Sequence, residues 1–501
     1  MRRAIIILIL MAAVMAGSSK NAQTAPDIWG ATIMKQPSDT QPFQQINIPE
    51  WVQDLRSITY CFSANGVYGP TWDWRRDAAK AGAQMSEMAF ISQETGALYD
   101  SQLIKGRDPR WQEYLQKEIP AYKKMGVKIL AGFPPGLMGE CYYAHPDWRM
   151  ITENTTAIPS ADPIKDPGGG GLCEMGPWGD YMIEILAEMA TKYPDIAAFT
   201  FDGICHRTAC YCQHCRVAYR KDTGLEIPNR DMSDSNYRHY LHWLDRRMES
   251  VIQRMQTRLK GINPKLSVIT WTTNAGRYGH LMSVPRNMPA RMNLLFDAPD
   301  QEFWMDETNR GNTVVAAFGN AYMWAVSNHR VAFSNPYMMT HGNPYGQDSL
   351  TAEETMRRHL LVLTFGPRPN AGIAGSTTYV HTVFKMMGEV EKRWPWCKKR
   401  EFEPWAAMVM SDNTNTFYGR DGRTEERYLA NVLGTFRAGL ESHLPLTVIN
   451  DWNLTPQDLA KFKVLVLPNT AVMGDAQAEA VRQFVKNGGG LVASMDTSLF
   501  D

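Results

Sequence analysis

At 501 residues the chain exceeds one ordinary hydrophobic core, so two domains, or a large barrel with a smaller unit, are expected. Its 52 Lys+Arg balance 52 Asp+Glu, which excludes a global field that would draw in nucleic acid or an anionic membrane. Trp (15) and Tyr (20) are abundant; such rings cover a core and also stack on the apolar faces of sugars.

Residues 1–17 read as an export signal. Arg2 and Arg3 are followed by an apolar run, Ala4 to Val14, that is too short to span a bilayer comfortably, and then by the small Ala16 and Gly17. The expectation is a soluble protein in the periplasm or outside the cell. Residues 18–47, rich in Ser, Gln, Thr and Pro, read as a linker or arm.

From Ser57 short apolar runs alternate with helical stretches. "SITYCF" reads as a strand, "DWRRDAAKAG" as a helix, "AQMSEMAF" as a second strand and Trp111 to Met125 as a second helix. "VKILAGF" makes a third strand, with a long Gly/Pro-rich loop and a helix over Gly179 to Tyr193. "IAAFTFDG" is the fourth strand, and Tyr237 to Leu259 its long helix. "KLSVITW", "MNLLFD" and "RVAFSN" continue the series, and "NAGIAG" is a weak eighth strand. Helices are expected over Asn312 to Val326, Thr351 to Leu363 and Thr378 to Trp394. Eightfold β/α alternation predicts a closed parallel (β/α)8 TIM barrel over 48–400, with its chemistry on the loops after the strands.

After "KKREFEP" the pattern restarts. "WAAMVMSD", "LPLTVIN", "KVLVLPN" and "GLVASM", with helices over Thr424 to Glu441 and Asp475 to Lys486, predict a smaller doubly wound, flavodoxin-like domain over 401–501. Such a domain carries a further strand, so the domain and the protein are expected to extend beyond Asp501. Gly488 to Gly490 read as a helix C-cap rather than a phosphate cradle. No GxGxxG or Walker pattern sits at a strand–helix turn, so no organic cofactor is expected.

The strand ends carry the chemistry. Strand four ends on Asp202, before a glycine, at the barrel rim; a loop-capping Asp is the competing reading. "LLFDAPDQEF" offers Asp297, Asp300 and Glu302, with Trp304 beyond, and the third-strand loop offers Glu140 and Glu174. Cleavage of a glycosidic bond needs two carboxyl groups flanking it, one ionised and one protonated, and several pairs here could supply them. Trp271 and Asn274 at the end of strand five are candidate sugar contacts, with Trp304, Glu140 and His206 around the same mouth.

Of eight cysteines, Cys205, Cys210, Cys212 and Cys215 crowd into one loop. Three thiolates at Cys210, Cys212 and Cys215 can reach one tetrahedral Zn2+, with Cys173 as the candidate fourth ligand. Cys205, His206, His214 and Cys141 are rivals for that place, and disulfides are the competing reading in an oxidising compartment. With no open position, such a zinc would be structural.

A barrel with "CYCQHC" shortly after strand four, followed by a doubly wound domain, resembles the family-42 β-galactosidases. The resemblance implies a structural zinc in this loop and a second domain that assembles trimers. The stretch from "HPDWR" through "GPWGDYMIEILAEM" to "AAFTFDGICHRTACYCQHCRVAYRKDTGLEIP" is similar to a group of glycoside-hydrolase-like barrels, often joined to the same trimerisation-type domain. The "FDG" ending also resembles family-29 α-L-fucosidases, which implies Asp202 as nucleophile. The likeness runs from about Ile48 onward, with "KVLVLPN…VRQFVKNGGGLVASM" its most specific C-terminal part. It departs from the β-galactosidases at strand four, which has Thr200, Phe201 and Asp202 in place of an Asn-Glu pair. Strand seven has Ser334, Asn335 and Pro336 in place of a nucleophilic Glu. That family's mechanism therefore does not transfer. The expected function is an exported glycoside hydrolase acting on a terminal sugar of an oligo- or polysaccharide by a retaining reaction, with Asp202 as nucleophile and Glu302 or Asp297 as its partner. A non-catalytic carbohydrate-binding barrel or an assembly protein is the alternative.

Overall fold

A computed structural model describes residues 46–61, 82–92, 96–104, 109–134, 139–152, 171–201, 204, 209–275, 289–303, 313–336, 352–373, 377–418 and 425–501. The export signal, nearly all of the arm, and most of the "DWRRDAAKAG" helix lie outside them.

Eight parallel strands close into a barrel: β1 (Ile58–Cys61), β2 (Met85–Ala89), β3 (Lys128–Phe133), β4 (Ile196–Phe201), β5 (Ser267–Ala275), β6 (Ala298–Phe303), β7 (Phe333–Pro336) and β8 (Arg368–Ile373). β8 closes on β1, with Asn370 opposite Ile58. The weak eighth strand is therefore real, and it starts at Arg368.

Outside the barrel run α1 (Pro109–Met125), α2 (Pro177–Lys192), α3 (Gln213–Thr223), α4 (Ser235–Ile262), α5 (Thr313–Val326), α6 (Ala352–Thr364) and α7 (Thr377–Cys397). Their apolar spacing says why they are helices. In α2, Met182, Ile185, Leu186 and Met189 recur at three- and four-residue intervals and are all buried in one core cluster with Leu244, Met248 and Val251 of α4.

Inside the barrel, Ile58, Met85, Leu130, Ala198, Ile269, Ala298 and Phe333, one from each of seven strands, form a single buried cluster. Ile48, Val52 and Leu55 close it from below. Arg368 fastens that floor: Nη1 donates to the carbonyls of Val52 (2.8 Å) and Leu55 (2.6 Å), and Nη2 to that of Gln53 (2.7 Å). The Val52 and Gln53 carbonyls end the short helix Glu50–Gln53 and that of Leu55 follows it, where a cation is electrostatically favoured.

The second sheet comprises β9 (Ala406–Met410), β10 (Leu446–Asn450), β11 (Val464–Leu467) and β12 (Gly490–Ala493), all parallel in the order β10-β9-β11-β12. With α8 (Ala430–Glu441) and α9 (Asp475–Lys486) it is the doubly wound, flavodoxin-like unit. Gly488 ends α9 at φ +93, and the Gly489 N–H reaches back to Phe484 O, as the C-cap reading requires. One boundary differs: the helix expected from Thr424 begins as a π-type turn over Glu425–Leu429 and becomes α-helical at Ala430.

This unit packs on the barrel through α5. Phe318, Tyr322 and Met323 share one core with Met408, Val432, Phe436 and Val448. Asn450 Nδ2 donates to Ala325 O (3.0 Å), Trp452 Nε1 to Asn328 Oδ1 (3.1 Å), and His329 Nε2 lies 3.0 Å from Val448 O. Among the described residues no helix is long and apolar enough to cross a membrane.

Candidate functional site

Above its apolar lower half the barrel interior turns polar. Side chains alternate across a strand, so two residues beyond each interior residue the chain faces inward again. That rule places Asp300 above Ala298, Asn335 above Phe333 and Glu87 above Met85. Trp271 joins the interior cluster directly. Asp300, Asn335, Asn370 and Trp271 are buried. Gln301 faces the other way, where its Nε2 donates to Asn320 Oδ1 (3.1 Å) and Ser334 Oγ (2.9 Å), tying β6 to α5 and β7.

Two contacts shape this upper layer. Asn370 Nδ2 donates to Asp300 Oδ2, and the N–H of Gln301 donates to Asp300 Oδ1 (2.8 Å). Across the barrel, Gly132 makes room for Glu87: a Cβ at 132 would run into the Glu87 Oε1. The end of β4 is pinned as well. The Thr270 hydroxyl accepts from Phe201 N–H and donates to Phe201 O, both at 2.9 Å, one residue before Asp202.

Asp202, His206 and Trp304 lie outside the described residues. Glu302 and Asn274 are strand residues whose backbones pair in register, and Glu302 also pairs with Asn335; their side chains are not described. Glu140 sits half-buried in the first turn of a short helix over Gly139–Ala144, next to Cys141.

Asp297 requires a correction. "MNLLFD" is not the sixth strand: Ala290–Leu295 forms a 3-10 turn, and β6 starts after Asp297. Asp297 therefore stands at the N-terminal, lower end of the strand, opposite to the face that carries barrel chemistry. Its carboxylate is committed there. Oδ1 binds Lys260 Nζ (2.7 Å), and Oδ2 accepts from Val268 N–H (2.8 Å) and Gln256 Nε2 (3.3 Å), with the side chain fully buried. The apolar run misled because a short run without periodicity does not distinguish strand from turn. Beside Asp300, which the sequence offered, Asn370 and Glu87 are the interior polar groups it did not single out. The signal for both was an acid or amide on the inward-facing positions of a strand, visible in "MSEMA" and "RPNAGI".

The cysteines assemble as their spacing suggests. The Sγ atoms of Cys173, Cys210, Cys212 and Cys215 all lie within 4.8 Å of one another, all four residues are buried, and Cys173 Sγ is 3.5 Å from Cys215 Sγ. Four sulfurs around one tetrahedral Zn2+ at 2.3 Å stand about 3.8 Å apart, so the donor set fits such an ion. Cys212 caps α3, its Sγ accepting from Cys215 N–H (3.5 Å). Cys173 is held by its N–H to Trp148 O (2.8 Å), and Tyr211 N–H bonds Ile151 O (2.6 Å), so the cluster joins the loops after β3 and β4.

Without a cation, four such thiols cannot all ionise. S–H donors, Cys173 first, hold the Cys212 thiol far below its usual range, while the hydrogen bond with Cys210, then those with Cys212 and Cys215, push Cys173 well up. Two rivals fall away. Cys141 is outside the cluster, its thiol raised to about 12 by burial and by Glu140; His214 Nε2 faces Asp147 Oδ2 at 3.3 Å instead. Cys205 and His206 lie outside the described residues, and Cys141, Cys173, Cys210, Cys212, Cys215 and Cys397 are free of disulfides.

A closed eight-stranded parallel barrel with a polar upper interior, followed by a doubly wound sheet, defines a two-part α/β-barrel architecture. A GH42 β-galactosidase from G. stearothermophilus, in a catalytic-mutant form, superposes with TM-score 0.71 at 12% identity, covering 89% of this chain and 72% of that one. The β-galactosidase from Bacillus circulans sp. alkalophilus gives TM-score 0.65 at 14% identity, over 89% and 72%. α-L-Fucosidase isoenzyme 2 from Paenibacillus thiaminolyticus gives 0.62 at 18% identity, over 87% of this chain; the chain spans 63% of that fucosidase's length. At these identities the likeness is one of fold. No family model matches the chain, and no curated protein matches it.

Proposed function

We propose that the chain is a glycoside hydrolase that binds a terminal sugar in the upper half of its barrel. The observation that carries this reading is the change of character inside the barrel, from an apolar lower cluster to buried Asp300, Asn335 and Asn370 beside the Trp271 ring. Rings and amides with a carboxylate suit a polyol, whose faces are apolar and whose edge is all hydroxyl. The fold shared with two β-galactosidases and a fucosidase supports the same class.

Asp202, following a backbone pinned by Thr270, attacks the anomeric carbon while Glu302 protonates the departing oxygen. Water then cleaves the glycosyl-enzyme, with Glu302 taking its proton. Retention requires the two carboxyl groups about 5–5.5 Å apart, and about 6.5–9.5 Å implies inversion through a water. Asn274, Trp304, Glu140 and His206 complete the sugar contacts. A Zn2+ held by Cys173, Cys210, Cys212 and Cys215 has no open coordination position and is structural, fastening two loops of the mouth. The doubly wound unit assembles the chain into a trimer, and the protein is exported.

The test is hydrolysis of aryl glycosides, β-D-galactosides and α-L-fucosides foremost, by wild type and Asp202→Asn. The expected result is cleavage of at least one by wild type and a loss of at least a thousandfold in the variant. Full activity in Asp202→Asn removes Asp202 as nucleophile. No cleavage of any glycoside, with no sugar binding, removes the enzyme reading.

A further inference from the structure

We propose that Asn370 and Asp300 form the hydroxyl-reading element of this site, with Asn370 Oδ1 accepting a hydrogen bond from one O–H of a bound sugar. The inference rests on the sugar-binding reading above and adds to it the group that selects the sugar.

Asn370 stands inside the barrel. Its partner across the β8–β1 pairing is Ile58, a member of the interior cluster, and neighbours in a parallel ladder point to the same side. The residue is completely buried, and its Nδ2 donates to Asp300 Oδ2. Asp300 is itself buried and is steadied by the Gln301 N–H at 2.8 Å. The carboxylate thereby decides which way the amide faces. A flipped Asn370 would set its carbonyl oxygen against a carboxylate oxygen, lone pair to lone pair, so Oδ1 is held away from Asp300.

Among the described residues that oxygen has no hydrogen-bond donor. Buried acceptors are rarely left so, because desolvation is then uncompensated. The next interior position on β8 is Gly372, which carries no side chain. A fixed, buried acceptor with no donor among the described residues is what a sugar hydroxyl can satisfy. The same geometry sets the ligand class. An O–H donor fits beside Oδ1 and the Asp300 carboxylate, whereas a uronate or a sulfate ester would bring a negative charge toward both.

The experiment compares kcat/KM for the aryl glycoside that wild type cleaves best with its monodeoxy analogues. In wild type, one deoxy position loses about ten- to a hundredfold, because the site's buried acceptor is then left unpaired. Asn370→Leu loses a similar factor on the parent glycoside and nothing more on that analogue. Asp300→Asn, close in shape, lets the amide turn and relaxes discrimination at the same hydroxyl while its thermal midpoint stays near that of wild type. Two results overturn the proposal while leaving the enzyme reading intact. One is a wild type that loses less than threefold on every deoxy analogue, a measurement that needs no variant to fold. The other is folded variants that keep full discrimination at every position. If wild type cleaves no aryl glycoside and calorimetry detects no binding of D-galactose or L-fucose, the sugar reading fails and this inference with it.

Discussion

Replacing Asp297 by alanine separates the structural role found for it from a catalytic one. The carboxylate is fully buried and makes three polar contacts at the lower end of the barrel. Alanine leaves the Val268 N–H without an acceptor at the start of β5, at a cost of about 1–3 kcal/mol. Gln256 loses little, since its Nε2 keeps Leu295 O at 2.8 Å. Lys260 keeps Leu266 O at 2.6 Å and some access to water, so its lost charged bond adds about 1–2 kcal/mol rather than the larger cost of stranding a fully buried ion. The expected destabilisation is about 3 kcal/mol, read as a shift of the urea-unfolding midpoint by far-UV circular dichroism at unchanged slope. Activity per folded molecule should stay near wild type, because the residue is remote from the C-terminal face. A loss of stability under about 1 kcal/mol with activity abolished would refute this reasoning and return Asp297 to the chemistry.

Elemental analysis should find about one zinc per chain. Acidification should release it as the thiolates protonate, and Cys212→Ser should lower both metal content and unfolding midpoint; metal-free protein with wild-type stability would count against the site. Burial pushes the His329 imidazole down to about 4, with Val448 O opposing the shift. The unfolded chain then takes up the proton first, so stability is complete above about pH 6.5 and falls as pH drops toward 4, by at most about 3 kcal/mol for this half-buried ring. His329→Gln should flatten that slope in acid-unfolding curves. Arg368→Lys should cost about 2–4 kcal/mol in denaturant titration, since one ammonium cannot serve the carbonyls of Val52, Gln53 and Leu55 in the guanidinium's place.

The sequence by itself determined the elements whose signal is periodic and local. α2 and α4 were legible from apolar residues at three- and four-residue spacing, β9 to β11 from short apolar runs, and the α9 cap from its glycines. The eightfold alternation then implied a closed barrel, because parallel strands must be covered by helices. The thiol cluster was legible too, since Cys210, Cys212 and Cys215 are neighbours in the chain, and Cys173 followed from adjacent barrel loops. Only the tertiary structure decided where β6 lies. "APDQEF" has a proline and two acids and is a poor strand on its own, yet pairing with β5 and β7 holds it extended, while the more apolar "MNLLF" becomes a buried turn. That shift puts Asp297 at the floor and Asp300 in the interior. The meeting of Asp300 with Asn370, 70 residues apart, is likewise set by barrel closure, which no local pattern encodes.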